Sequence, residues 1–224
     1  MKFFVSILLS LLCNTVLIGY ANAGTTQCPP SEGLSLQILG SGGPIADDGR
    51  ARLLDANTGA YAYLSAYLDG SGGLVKLEPI EIDPRLHKAS LAYKHTTDDI
   101  EVFALGVPHG PVPALAFRIN IGQKSIVFSG DQNGSSEAFV DFAREADVLV
   151  MHMPVPETIS GAGRNLHAPP SLIGDIAAKA NSRLLVLSHF MTRSLDQFDD
   201  SLKEIRSRYP GPLASAHDLE CVNF

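Results

Sequence analysis

Four apolar runs of this chain end in a side chain that can bind a metal ion or move a proton. Ala104-Leu105-Gly106-Val107-Pro108 runs into His109, and Ile126-Val127-Phe128-Ser129-Gly130 into Asp131. Leu184-Leu185-Val186-Leu187-Ser188 runs into His189, and Val150-Met151 into His152. A hydrophobic strand that finishes this way delivers one polar side chain to a sheet edge, where the strand fixes position and the loop gives access. Imidazole nitrogens and a carboxylate oxygen are ligands suited to zinc, manganese or iron. Taken alone, each residue reads better as a capped turn or a hydrogen-bonded surface histidine. Three such ends, at His109, Asp131 and His189, point to a shared site. His152 reads as a packing and hydrogen-bonding residue beside that site, and His217, next to Asp218, as either a neighbour of the site or an exposed residue. The glycine-rich run from Asp69 to Gly73 is not followed by the Lys-Ser of a phosphate loop, and no G-x-S-x-G serine elbow is present.

The elements that must position these residues follow from periodicity. Alternation and turn residues predict strands over 34–39, 74–82, 100–107, 114–121, 124–128, 148–153 and 184–187, with short closing strands over 213–216 and 219–222. Apolar spacing predicts helices over 60–68, 136–145, 170–180 and 195–208, the third with Pro170 in its first turn. Residues 86–97 read as loop. Strands joined by hairpins are followed by alternating strands and helices, so a layered α/β fold is expected.

Residues 1–23 stand apart. A positive start at Lys2, an apolar run over 3–20 and the small-residue site Ala21-Asn22-Ala23 have the layout of a cleaved export signal. A membrane anchor is the alternative, since the run approaches spanning length. Cleavage leaves 24–224 as one domain, with no stable anchor and a periplasmic or secreted destination. Hydrophobic residues make up 45% and charged residues 18%, a globular composition. A net charge of −7 argues against broad nucleic-acid binding, which needs a basic face. Cys28 and Cys221 remain after cleavage, and an oxidising compartment permits a disulfide between them, two free thiols being the alternative.

With those residues in hand, the chain resembles metallo-β-lactamase-fold hydrolases of the ribonuclease Z-like phosphodiesterase branch. Val107-Pro108-His109-Gly110 is similar to a metal-binding motif of that branch, and Ser129-Gly130-Asp131 to its bridging-aspartate motif. Leu187-Ser188-His189-Phe190 with Arg193 resembles its last metal-histidine motif, and Asn165-Leu166-His167-Ala168 the loop whose histidine assists catalysis. Gly40-Ser41-Gly42-Gly43-Pro44 resembles its opening turn. The resemblance covers 33–50 and 99–222 and implies a four-layer αββα sandwich, two bound ions, and hydrolysis of a phosphodiester or another small-molecule ester. It gives Asp131 and His167 catalytic roles and makes His109, Asp131 and His189 the metal ligands. The defining H-x-H-x-D-H motif is absent, with an apparent internal deletion near 51–54, so the sandwich is expected to be incomplete. The matched residues then leave two ligands for each of two ions, or three for a single shared ion, so one ion or none is expected. An inactive homologue acting as a binding protein is the alternative. By analogy with the family, a homodimer is also expected.

Overall fold

A computed structural model of the chain describes residues 34–37, 82–83, 85–218 and 220–224. The expected export signal, Cys28, the turn at 40–44, the junction at 51–54, the helix at 60–68 and all but the last residue of the strand at 74–82 lie outside them.

The strands are β1 (Ser35–Gln37), β2 (Ser90–His95), β3 (Ile100–Val107), β4 (Ala114–Ile121), β5 (Lys124–Phe128), β6 (Val148–His152), β7 (Leu185–Ser188), β8 (Leu213–Ser215) and β9 (Cys221–Asn223). The helices are α1 (Glu137–Phe142), α2 (Gly161–Leu166), α3 (Pro170–Lys179), α4 (Thr192–Leu195) and α5 (Phe198–Arg208). Strands β2 to β8 form a seven-stranded sheet in sequence order, and β1 pairs with β9 in a separate antiparallel pair. The pairs β2–β3, β3–β4 and β4–β5 are antiparallel, whereas β5–β6, β6–β7 and β7–β8 are parallel. The change falls where the connections lengthen. Gly122-Gln123 suffices for a hairpin, but each later connection carries a helix, as parallel pairing requires.

Period-two alternation sorts the strand side chains onto two faces. Leu105, Val107, Ala116, Val127, Leu149, Met151, Leu185 and Leu187 pack on one face against Phe139, Ile173, Ile176 and Ile205 from α1, α3 and α5. Ile126, Val148, Val150 and Val186 face the other way and meet Leu36 of β1 and Val222 of β9. The described residues therefore supply three layers of the expected α/β sandwich: helices, the large sheet and the small strand pair. Arg118 of β4 fastens the helical layer by donating to the Phe142 and Arg144 carbonyls at the end of α1, 2.9 and 3.0 Å away. No helix among the described residues is long and apolar enough to cross a membrane.

Three local expectations are corrected. Residues 86–97 are not all loop, because β2 pairs with β3 through a bulge between Leu91 and Tyr93. This edge strand exposes 52% of Leu91 and 46% of Tyr93, so no buried alternation marked it in the sequence. The helix expected over 195–208 is split at Gln197, whose φ of −123° and ψ of 31° are not helical. The break lets Phe198 pack edge-on against Phe190, ring centres 5.5 Å apart. The loop reading of Asn165 and Leu166 also fails, since both belong to α2, whose Gly161 and Gly163 weaken its intrinsic signal.

Phe139 is wholly buried between α1 and the sheet, and its N–H is capped by the Ser136 hydroxyl at 3.3 Å. Phe139→Ala should cost about 3–5 kcal/mol, read as a lower urea midpoint with an unchanged slope.

Candidate metal centre

Strand direction decides which chemistry-bearing residues meet. Two antiparallel steps return β5 to the direction of β3, and β6 and β7 continue parallel to it. The C-terminal ends of β3, β5, β6 and β7 thus share one sheet edge, where ligands of open α/β sheets commonly bind. His109 and Asp131 follow β3 and β5, His152 ends β6, and His189 follows β7. His167 reaches the same edge from the C-terminus of α2, its N–H donating to the Gly163 carbonyl at 2.9 Å.

The four histidines surround one carboxylate. From Asp131, His152 Nδ1 lies 2.7 Å away, His189 Nε2 3.3 Å, His167 Nδ1 3.8 Å and His109 Nε2 4.0 Å. The His152 and His189 rings stack at 4.6 Å, and those of His109 and His167 lie tilted at 5.2 Å. Burial alone would raise the Asp131 pKa, but the His152 hydrogen bond and the nearby charges of His189, His152 and His167 outweigh it and hold it at about 2. Asp131 is therefore ionised at neutral pH, and His152 donates its Nδ1–H to it. Burial pushes His167 down to about 4, opposed by Asp131 and aided by His109, His189 and Arg193. Burial lowers His189 as well, against the pull of Asp131. His167 is thus neutral at pH 7, and its buried Nδ1 has no hydrogen-bond partner among the described residues.

Backbone geometry sets these positions. Gly130 has φ +58°, and a Cβ there would stand 2.2 Å from the Leu115 carbonyl oxygen, so only glycine lets the chain turn into Asp131. His189 itself occupies the left-handed region at φ +61°, a costly conformation for a residue with a Cβ and one that concentrates at functional sites. Ser129 accepts the His152 N–H at 3.2 Å and donates to the Gly130 carbonyl at 2.8 Å. Asn133 ties its own loop to the loop after β3 and to α2: its N–H donates to the Pro108 carbonyl at 2.8 Å, its side chain donates to the Asn165 carbonyl at 3.1 Å, and its own carbonyl accepts from Arg164 at 2.9 Å.

Two groups of three donors emerge, His109–Asp131–His167 and Asp131–His152–His189, with the ligand atoms of each within 4.8 Å of one another. The sequence motifs group His109, Asp131 and His189, with His152 beside the ligands and His167 apart as a catalytic group. The structure sets the four histidines around the Asp131 carboxylate but divides them differently, and each group reaches the three protein ligands usual for a catalytic zinc. Four imidazoles, one of them with an unpartnered buried nitrogen, and one ionised carboxylate form a donor set that fits a divalent ion. His87, His95 and His217 belong to neither group. Asn133 and Arg164 were missed. Asn133-Gly134-Ser135 carries an Asx-turn signal, its Oδ1 accepting the Ser135 N–H at 3.0 Å, but its reach to Pro108 and to α2 leaves no local trace. Cys221 is disulfide-bonded, while Cys13 and Cys28 both lie outside the described residues.

No protein-family model matches the chain, and no curated protein matches it in sequence. Solved structures do match its fold. The metallo-β-lactamase fold protein YhfI from Bacillus subtilis is similar at 23% identity and a TM-score of 0.49, over 56% of this chain and 50% of that one. Human tRNase Z, short form, is similar at 19% identity and a TM-score of 0.47, over 61% of this chain and 47% of that one. Zn(2+)-bound PqqB from Methylobacterium extorquens is similar at 12% identity and a TM-score of 0.42, over 62% and 54%. The chain spans about half the length of these structures. The likeness is one of fold, and what this chain does is read from its own site.

The depressed His167 pKa has a stability consequence of definite sign. As pH falls from 6.5 towards 4, the unfolded histidine takes up a proton that the folded one resists, so stability drops across that window and is complete above it. Asp131 adds a second loss between its ordinary 3.8 and about 2. Metal-free His167→Gln should therefore lose up to about 3 kcal/mol less than wild type between pH 7 and 4, several degrees in Tm by scanning calorimetry. Parallel Tm–pH curves for the two proteins would refute the burial of a neutral His167.

Proposed function

We propose that this chain is an exported metal-dependent hydrolase that cleaves phosphodiester or related ester bonds. The observation that carries the reading is the convergence of His109, His152, His167 and His189 on the ionised Asp131 at one sheet edge. Export is supported by the signal-like pattern of residues 1–23 and by the disulfide at Cys221, a bond favoured outside the cytosol.

Asp131, His152 and His189 would hold the ion, with zinc, manganese and iron all compatible with these donors. When bound, a divalent ion supplies charge to polarise an ester oxygen and to acidify an attacking water. The protein's own contribution lies around it. Three neighbouring parallel strands fix these donors before any substrate arrives, which avoids an ordering cost during binding. Asp131 stays ionised through the working pH range. An ion bound through His152 Nδ1 would take the place of that N–H, the ring proton moving to Nε2, so the 2.7 Å His152–Asp131 hydrogen bond would give way to shared coordination. His167 sits across the carboxylate with an unpartnered Nδ1. An anionic phosphodiester beside it adds negative charge, raises its proton affinity and lets it carry a proton to the leaving oxygen. Arg193 contributes fixed positive charge near His167 and His189 and is held by donation to the Pro154 carbonyl at 2.9 Å.

Purified protein should bind zinc or manganese at one equivalent or more by elemental analysis and hydrolyse bis(p-nitrophenyl) phosphate. Asp131→Asn should abolish metal retention and turnover together. His167→Gln should keep the metal and lose about 10²–10⁴-fold in kcat. Metal-free protein with background turnover would sink the hydrolase and favour a binding protein built on the same scaffold.

A further inference from the structure

Beside His109 the described residues form a groove of about 240 Å³ lined by Leu86, Val107, Pro108, His109, Pro111, Val112, Pro113 and neighbouring small residues. Its walls are apolar, whereas the hollow around Arg118, Lys124 and Asp147 is lined by charged side chains. Val112 is 54% exposed and Leu86 47% exposed, among the most exposed large apolar side chains of the described residues. Their exposure is structured. Leu86 bridges Gly106, whose N–H donates to the Arg85 carbonyl at 3.0 Å, and this pins Leu86 on one wall. On the other wall the Val112 N–H donates to the His109 carbonyl at 3.2 Å, closing a turn across Gly110 and Pro111. His109 and Val112 are thus the two corners of one β-turn, whose ends lie within about 7 Å of each other. Through His109 the groove adjoins the His109–Asp131–His167 cluster.

We infer that this groove is a specificity subsite that receives an apolar substituent, a single aromatic ring or a short branched alkyl group, carried by the anionic ester at the cluster. This assignment rests on the hydrolase reading and narrows its substrate class. The occupant follows from continuity, since His109 belongs both to the donor cluster and to the groove. The size fits one substituent, being below the roughly 300–1,000 Å³ of sites that enclose a drug-sized ligand. Pro108, Pro111 and Pro113 have fixed φ angles, so the lip is preorganised and loses little freedom on binding. An ordered apolar surface beside a polar cluster gains from covering by an apolar group and gives nothing to a small polar one.

The test compares phenyl p-nitrophenyl phosphate with methyl p-nitrophenyl phosphate, diesters of equal charge that differ in one group. Wild type should favour the phenyl ester in kcat/KM by about 10-fold or more, the range for a filled apolar pocket. In Val112→Asp that ratio should fall at least about five-fold. Binding of phenylphosphonate against methylphosphonate, measured by calorimetry on the protein as purified, should show the same preference and the same loss. Should Val112→Asp fail to fold, Val112→Ser is read identically. An unchanged ratio overturns the subsite. If that unchanged ratio comes with a lower Tm, residues of the chain itself cover the groove, and the subsite is again overturned. If neither ester turns over but the phosphonate preference persists and is lost in the variant, the hydrolase reading fails while the subsite stands. Equal phosphonate affinities, or no binding of either, overturn the subsite whatever the turnover.

Discussion

The carboxylate of Asp131 is the constraint around which this structure is arranged. Its side chain is only 26% exposed, yet it is ionised with a pKa of about 2. A charge withdrawn from water is costly unless hydrogen bonds and opposite charge replace its hydration. His152 supplies the direct bond at 2.7 Å, and His189, His167 and His109 supply further polar surroundings between 3.3 and 4.0 Å. The dependence is mutual. Burial makes His167 and His189 reluctant to hold a proton, and the carboxylate offsets part of that effect, so the cluster is a coupled unit.

Such a unit exists only if its members are brought together and kept there. Strands supply position, and unusual backbone supplies aim. Gly130 turns the chain under the Leu115 carbonyl, and His189 is held at positive φ immediately after β7. Hydrogen bonds from the backbone and side chain of Asn133 then tie the loops carrying His109, Asp131 and His167 into one piece. Each feature costs conformational freedom or strain, and each lies within a few residues of the cluster. The rest of the large sheet, with the buried apolar side chains of β5 to β7, provides the rigidity that sustains this cost.

The surroundings of the cluster divide by chemistry. Arg193 lends positive charge on the side of His167 and His189, while the proline-rich turn beside His109 offers apolar surface. An anionic centre with an apolar arm matches both sides at once. The donor count follows the same logic. From sequence motifs, the matched residues supplied two ligands for each of two ions; in space, His152 and His167 complete two sets of three.

The sequence by itself determined the elements and the individual chemical groups. Alternation marked β3 to β7 within a residue or two, Pro170 marked the start of α3, and apolar runs ending in His109, Asp131, His152 and His189 marked the edge residues, because these signals act through neighbours on the chain. The edge strand β2 and the glycine-bearing helix α2 escaped, since pairing with β3 and bonds between Asn133 and the α2 residues Arg164 and Asn165 hold them. Only the tertiary structure decided how the five polar residues are grouped. That His152 is hydrogen-bonded to Asp131, and that His167 shares a donor set with His109, depends on separations of 21 and 58 residues closing to a few ångströms. Strand order and direction fix those approaches, and no local pattern encodes either one.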